Sequence, residues 1–286
     1  MAEDRLLASP PPRRRFCPED RIWVSVGLFA SLALTLGLPL VLVMLWSVAE
    51  RWAAPNLLPQ SYTSATWLAV LQDEGVLGAA LTSTLIAVLV TACTAVLAWP
   101  TAWAMAKFPL RHKRAIEIFV LAPVIVPGIV VAVGVGQVFL LMGIAYTVPG
   151  VVLVQMVGTL PLMIRLLVAS FETLPDELIH AARSLGASPL RALWHVALPL
   201  CVPGLLAGCL LSFVGSFEEF DKTFLVGAPV VQTLPVMLYH YLDPYSLQFP
   251  LAAVVALILL LPVLLVFVLS GRIMRDDLMA AGMGKV

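Results

Sequence analysis

Five stretches of this chain contain no Asp, Glu, Lys or Arg: residues 22–49, 75–106, 118–164, 196–217 and 244–271. A helix needs about 20 apolar residues to cross a bilayer, because the hydrocarbon core offers no water to exposed backbone groups. The stretch 118–164 is 47 residues long and has to fold back once. Gly143, Pro149 and Gly150 place that turn between Met142 and Gly150, with Tyr146 as an interfacial anchor. The expected fold is therefore an all-α, polytopic membrane bundle of six transmembrane helices. Only 12% of residues are charged, against about 25% in a soluble domain. The first stretch follows Arg13, Arg14 and Arg15 in the manner of a signal peptide. Its uncharged core exceeds the roughly 15 residues of such a segment, so it is expected to stay as a span.

Lys and Arg are retained on the cytoplasmic side of a membrane. With the N-terminus inside, the cytoplasmic segments hold Arg5, Arg13, Arg14, Arg15, Arg21, Lys107, Arg111, Lys113, Arg114, Arg183, Arg191, Arg272, Arg275 and Lys285, which is 14 of the 17 basic residues. Arg51 and Lys222 fall outside, and Arg165 is close enough to the inner end of its span to snorkel. Both termini are thus expected in the cytoplasm, in a bacterial inner membrane. Residues 1–20 read as a tail, 21–272 as the membrane domain and 273–286 as a second tail. The external segments are 50–74, with Trp52, Tyr62 and Trp67, and 218–243, which holds the acids Glu218, Glu219, Asp221 and Asp243. The net charge of zero gives no field for nucleic acid. Cys17, Cys93, Cys201 and Cys209 form no CxxC or Cys/His cluster, so no metal or disulfide is expected.

The cytoplasmic segment 171–199 is too long for an ordinary connection between bundle helices, which runs to about 8 residues. Pro175, Asp176 and Glu177 read as a helix start and Gly186 as its end. Leu178, Ala181, Ala182 and Leu185 recur at helical spacing and form a narrow apolar stripe suited to docking on another protein. Ser188 is placed to cap a second helix with Pro189 in its first turn, leading to Pro199 at the membrane.

This segment resembles the permease loop of bacterial ATP-binding-cassette importers, whose pattern is Glu-Ala-Ala, three residues, Gly, nine residues, Ile-x-Leu-Pro. Ala181, Ala182, Gly186, Val196, Leu198 and Pro199 match it in full spacing. His180 stands where the family has glutamate. The resemblance implies that this acid meets a basic residue of the ATPase. Glu177, one turn earlier, is a candidate substitute; alternatively a partner permease carries the glutamate and this copy docks asymmetrically. The segments 121–128, 215–220 and 234–239 extend the likeness to the spermidine/putrescine branch. The resemblance implies a type I importer permease (MetI-like) fold, a homologous second permease subunit, ABC ATPase subunits beneath and a periplasmic substrate-binding protein above. The chain itself has no phosphate-binding loop: Gly284-Lys285 lacks the preceding glycine and following hydroxyl. It is expected to be non-catalytic, without cofactor.

Glu218, Glu219 and Asp221, with Tyr239 and its neighbours Tyr241, Asp243 and Tyr245, combine acids and aromatic faces that suit an ammonium-bearing, polyamine-like solute. The same residues also read as a solvated loop with an acid–Lys222 pair. Other small amines, phosphonate and ferric ion remain alternative cargoes. Pro123, Pro127 and Gly128 are able to bend the third span towards a pathway, and Gly134, Gly136, Gly204 and Gly208 to let helices approach. A secondary transporter would need mid-depth acids for a coupling ion, and none of the six spans has one.

Overall fold

The structure is a computed structural model that describes the backbone of residues 18–53, 55–245 and 247–283, and side chains from residue 25 to 268 except 54, 189 and 246. Arg5, Arg13, Arg14, Arg15, Cys17 and Lys285 lie outside the described residues, as do the side chains of Arg21, Arg272 and Arg275. In chain order the elements are α1 (Pro18–Ser47), a hairpin of β1 (Ala49–Arg51) and β2 (Ser61–Tyr62), α2 (Ala65–Gln72) and α3 (Glu74–Lys107). They continue with α4 (Lys113–Ile125), α5 (Gly128–Met142), α6 (Val148–Glu172), α7 (Asp176–Ser184) and α8 (Pro189–Ala192). A π-helical turn (Leu193–Ala197) carries α8 into α9 (Leu198–Phe217), and α10 (Asp221–Gly227), α11 (Leu234–Tyr241) and α12 (Phe249–Met283) follow.

Among the described residues five helical runs are long and apolar enough to cross a membrane: Ser25–Ser47, Glu74–Lys107, Val148–Glu172, Leu190–Phe217 and Phe249–Val268. The sixth apolar stretch is a bent pair, α4 and α5 meeting at 97°. Their 13 and 15 residues correspond to about 20 and 22 Å of helix, short of the roughly 30 Å of hydrocarbon. Proline explains the break. Val126 is pushed to extended φ/ψ (−79°, 130°) by the ring of Pro127, which has no N–H to continue the ladder. The fold-back falls where the glycines place it: Gly143 ends α5 at φ +70°, and Thr147 caps α6 by accepting from Gly150 N at 3.1 Å.

The centre of the bundle is a triangle of α3, α6 and α9. On α3 the buried face runs Ala79, Ser83, Ala87, Val90, Thr94, Ala98 and Ala102, a seam of mostly small residues at steps of three and four. It lets α6 approach closely. Phe171 closes the triangle at the lysine-bearing end, with Trp99 and Trp103 edge-on at 4.8 and 5.2 Å. At the other end Val76, Ala79, Phe217, Leu234, Val254 and Val255 form a second cluster that brings α11 and α12 onto α3. The helix α1 packs along α12, with Trp46 stacked on Trp52 at 4.5 Å.

Three of the four small-residue positions named from the sequence are helix contacts. A Cβ on Gly204 would overlap the Ser170 hydroxyl, one on Gly208 would overlap the Met163 sulfur, and one on Gly136 would lie 3.5 Å from Val226. Gly134 faces open space, with nothing within 4 Å. Gly204→Ala is therefore expected to destabilise the purified protein by about 1–3 kcal/mol through overpacking of α9 on α6, while Gly134→Ala leaves its thermal unfolding midpoint in detergent unchanged. Equal midpoints for the two variants would contradict this packing.

Candidate coupling surface and a buried ion pair

The loop between α6 and α9 is built as a strut. Lys107, the last residue of α3, donates from Nζ to the Leu174 carbonyl and pairs with Asp176 Oδ1, each at 2.6 Å. Lys113, the first residue of α4, pairs with Glu172 at 2.9 Å. These bonds fasten the start of α7 to the last residue of α3 and the end of α6 to the first residue of α4. Gly186 ends the first arm at φ +88°, which an L side chain rarely adopts, and its N–H donates to the Arg183 carbonyl at 3.0 Å. Ser188 Oγ then accepts from Arg191 N at 3.3 Å and caps α8.

The stripe expected on α7 divides between two faces. Ala182 is half-buried, and Ile179, which the sequence reading passed over, packs on the cluster around Phe171. Leu178, Ala181 and Leu185 face outwards with Glu177 and His180, and Leu185 is 90% exposed. Across the Gly186 turn, Leu190 and Trp194 are also exposed, at 64% and 57%. Their spacing of four was the signal for a second apolar patch. Val196 and Leu198 are half-buried, Ala197 between them is fully buried, and Pro199 is exposed. A rim of Leu178, Leu185, Leu190 and Trp194 thus remains uncovered on one side of a braced helical hairpin.

The segment 218–243 is not the solvated external loop that its charges suggested. Its short helix α10 lies against α5 and α6, and Lys222 is only 7% exposed. The Lys222 ammonium pairs with Glu219, whose Oε1 also accepts from Lys222 N at 3.1 Å. A Cβ on Gly128, at the break between α4 and α5, would lie 3.5 Å from Lys222 Nζ, and one on Gly158 of α6 would lie 3.6 Å away. Gly158 is about 15 Å along α6 from its start, so the pair sits near the middle depth of that helix. Beside it, Gln155 donates to Thr223 Oγ1 at 2.7 Å and accepts from Ser216, and Thr159 meets Thr94 at 3.2 Å.

The four residues expected along a pathway are not gathered in one site. Glu219 is taken by Lys222, and the Asp221 carboxylate lies beside Gly128. Glu218 is exposed. Tyr239 joins Phe220 and Phe224 in an aromatic group with centroids 5.1 and 5.3 Å away, while Tyr241 reaches towards Asp73 at 3.5 Å. Among the described residues no group of three His, Cys, Asp or Glu side chains is arranged to hold a metal.

The Lys107 hydrogen bond, together with its charge, holds the Asp176 carboxyl below its ordinary range. A carboxylate with a depressed value contributes its bond above the ordinary pKa of about 3.9 and loses it only as pH falls through the lowered value. Amide exchange in α7, corrected for intrinsic rates, is thus expected to be flat from about pH 7 to 5 and to rise in Asp176→Asn at every pH. A wild-type rise already at pH 5 would show that the bond does not anchor the helix.

The family described as "Binding-protein-dependent transport system inner membrane component" matches residues 95–276, which includes α4 to α11 and most of α12. A Streptomyces antibioticus chain named as an ABC transporter permease, ORF1, is 30% identical over 223 residues, 78% of this chain and 97% of that one. The sulfoquinovosyl glycerol transport system permease SmoH of Agrobacterium fabrum is 26% identical over 226 residues, 79% of each chain. In structure the chain is similar to one in a bacterial ABC transporter involved in import of the acidic polysaccharide alginate, with TM-score 0.74, 19% identity, and 91% and 99% of the two chains covered.

Proposed function

Since the chain belongs to the family of binding-protein-dependent transport system inner-membrane components, we propose that it is the permease subunit of an ATP-driven importer and that loop 171–199 is its contact with the ATPase. The carrying observation is the braced hairpin with an uncovered apolar rim. A loop free of partners would have no use for leucines 90% and 64% exposed at its tip. In this reading Leu178, Ala181, Leu185, Leu190 and Trp194 enter a groove on the ATPase, and Glu177 and His180 flank it. Ala182, Gly186, Val196, Leu198 and Pro199 shape the hairpin. A homologous permease subunit completes the pathway, a periplasmic binding protein delivers the solute, and ATP is bound and hydrolysed by the ATPase subunits. The lysine-bearing end of the bundle and both termini then face the cytoplasm, as the Lys and Arg count supports.

For the solute, one of the acids that favoured a polyamine, Glu219, is paired with Lys222 and so is not free to meet a cation. The names of similar proteins point to anionic cargo, a sulfo-sugar glycerol in one case and an acidic polysaccharide in the other. An anionic organic solute, phosphonates included, is the reading we favour over polyamine or ferric ion.

Two measurements test these readings. Co-purification with the ATPase subunit in detergent is expected for wild type and lost for Gly186→Asp, whose φ of +88° and position at the tip suit neither a side chain nor an added charge. Retention by both variants would remove the loop from the interface. Thermal shift of the partner binding protein is expected with sugar sulfonates or phosphonates and not with spermidine. A shift with spermidine alone would restore the polyamine reading.

A further inference from the structure

A lysine 93% removed from solvent is costly unless its charge is met. Here it is met by a residue of its own turn, Glu219, in a slot formed by two glycines of other helices. Gly128 is the first residue after the break in the bent span, and Gly158 lies in the middle of α6. Either position would intrude on the ammonium with any side chain longer than alanine. At its other end α10 is tied to the turn between α5 and α6: Tyr146 N donates to the Val226 carbonyl at 2.7 Å, with Tyr146 at φ +60°. Between the two ties, Val226 packs on Gly136. The short helix therefore meets α5 at its start and middle and the turn that follows it, and Thr223 fastens it to Gln155 of α6.

We propose that Lys222 is a positioning residue of the transport pathway: its pair with Glu219, seated between Gly128 and Gly158, locks α10 onto the break of the bent span, so that α5 and α10 move as one body. The charge is the working part, and the aliphatic stem alone is not enough. Removing Lys222 leaves the Glu219 carboxylate without its counter-ion and near the like charge of Asp221, and removing Glu219 takes away the acid that seats the ammonium; in either case the outer arm of the span loses its fixed angle to α6. The inference depends neither on which solute is carried nor on how the ATPase docks.

The test is a spin-label distance between Val133 on α5 and Leu162 on α6, both exposed at 59% and 43%. It is measured on the full chain in lipid nanodiscs with the natural cysteines replaced by serine. The parent is expected to give a single narrow distance. Lys222→Met, which keeps the stem, and Glu219→Gln should each displace or broaden it. The swap Glu219→Lys with Lys222→Glu should restore it, which a role in packing alone would not allow. A parental distance in Lys222→Met overturns the proposal, as does a swap that stays displaced. Should the single variants fail to fold, the swap decides: folded at the parental distance it supports the ionic lock, and misfolded or displaced it refutes it.

Discussion

A helix broken inside a bilayer has backbone groups that lipid does not satisfy, and protein has to cover them. The break at Val126–Pro127 sets that requirement here. Val124 to Pro127 are exposed on this chain, while Gly128, the residue just after the break, meets α10, a seven-residue helix that enters the bundle from the α9 side and brings a charged side chain with it. The arrangement accounts for the burial of Lys222 with Glu219 beside it, while Glu218 and Asp221 stay exposed, and for glycine at 128 and 158. It also supplies the buried polar network of Gln155, Ser216 and Thr223 with partners, since a hydroxyl or amide at that depth is unfavourable without them.

The same bent span links the two ends of the molecule. Lys113 opens α4 and is paired with Glu172, one strut away from the Lys107–Asp176 anchor of α7. The other end of α4 is the break itself. In the proposed reading, a shift of the loop hairpin reaches α5 through the Lys113–Glu172 pair and α4. The close α3–α6–α9 seam, with glycine against Ser170 and Met163, gives that movement a frame to work against.

The sequence made much of this legible. Charge-free runs marked the spans, glycine and proline marked the fold-back near Gly143, and the spacing from Ala181 to Pro199 marked the loop. Three things escaped. Proline and glycine allowed a bend at residues 123–128, but its angle of 97° and the contact of Gly128 with α10, which is distant in sequence, were not legible. An acid–Lys222 pair was one reading of the sequence, but its burial escaped, because the room for it comes from Gly128 and Gly158, whose contribution is the absence of a side chain. The earlier statement that no acid sits at mid-depth was true of the spans and not of the fold. On α7 the inward turn of Ala182 followed from Ile179, whose partners around Phe171 lie on other helices.

The central claim is that the Leu185 rim faces the cytoplasm and is covered by an ATPase. Its most direct measurement is the maleimide labelling of Leu185→Cys, in a chain otherwise free of cysteine, using right-side-out and inside-out vesicles with and without the ATPase subunit. The account predicts labelling only in inside-out vesicles, and protection there when the ATPase is present. Labelling from the right-side-out face, or a rate indifferent to the ATPase, would contradict it.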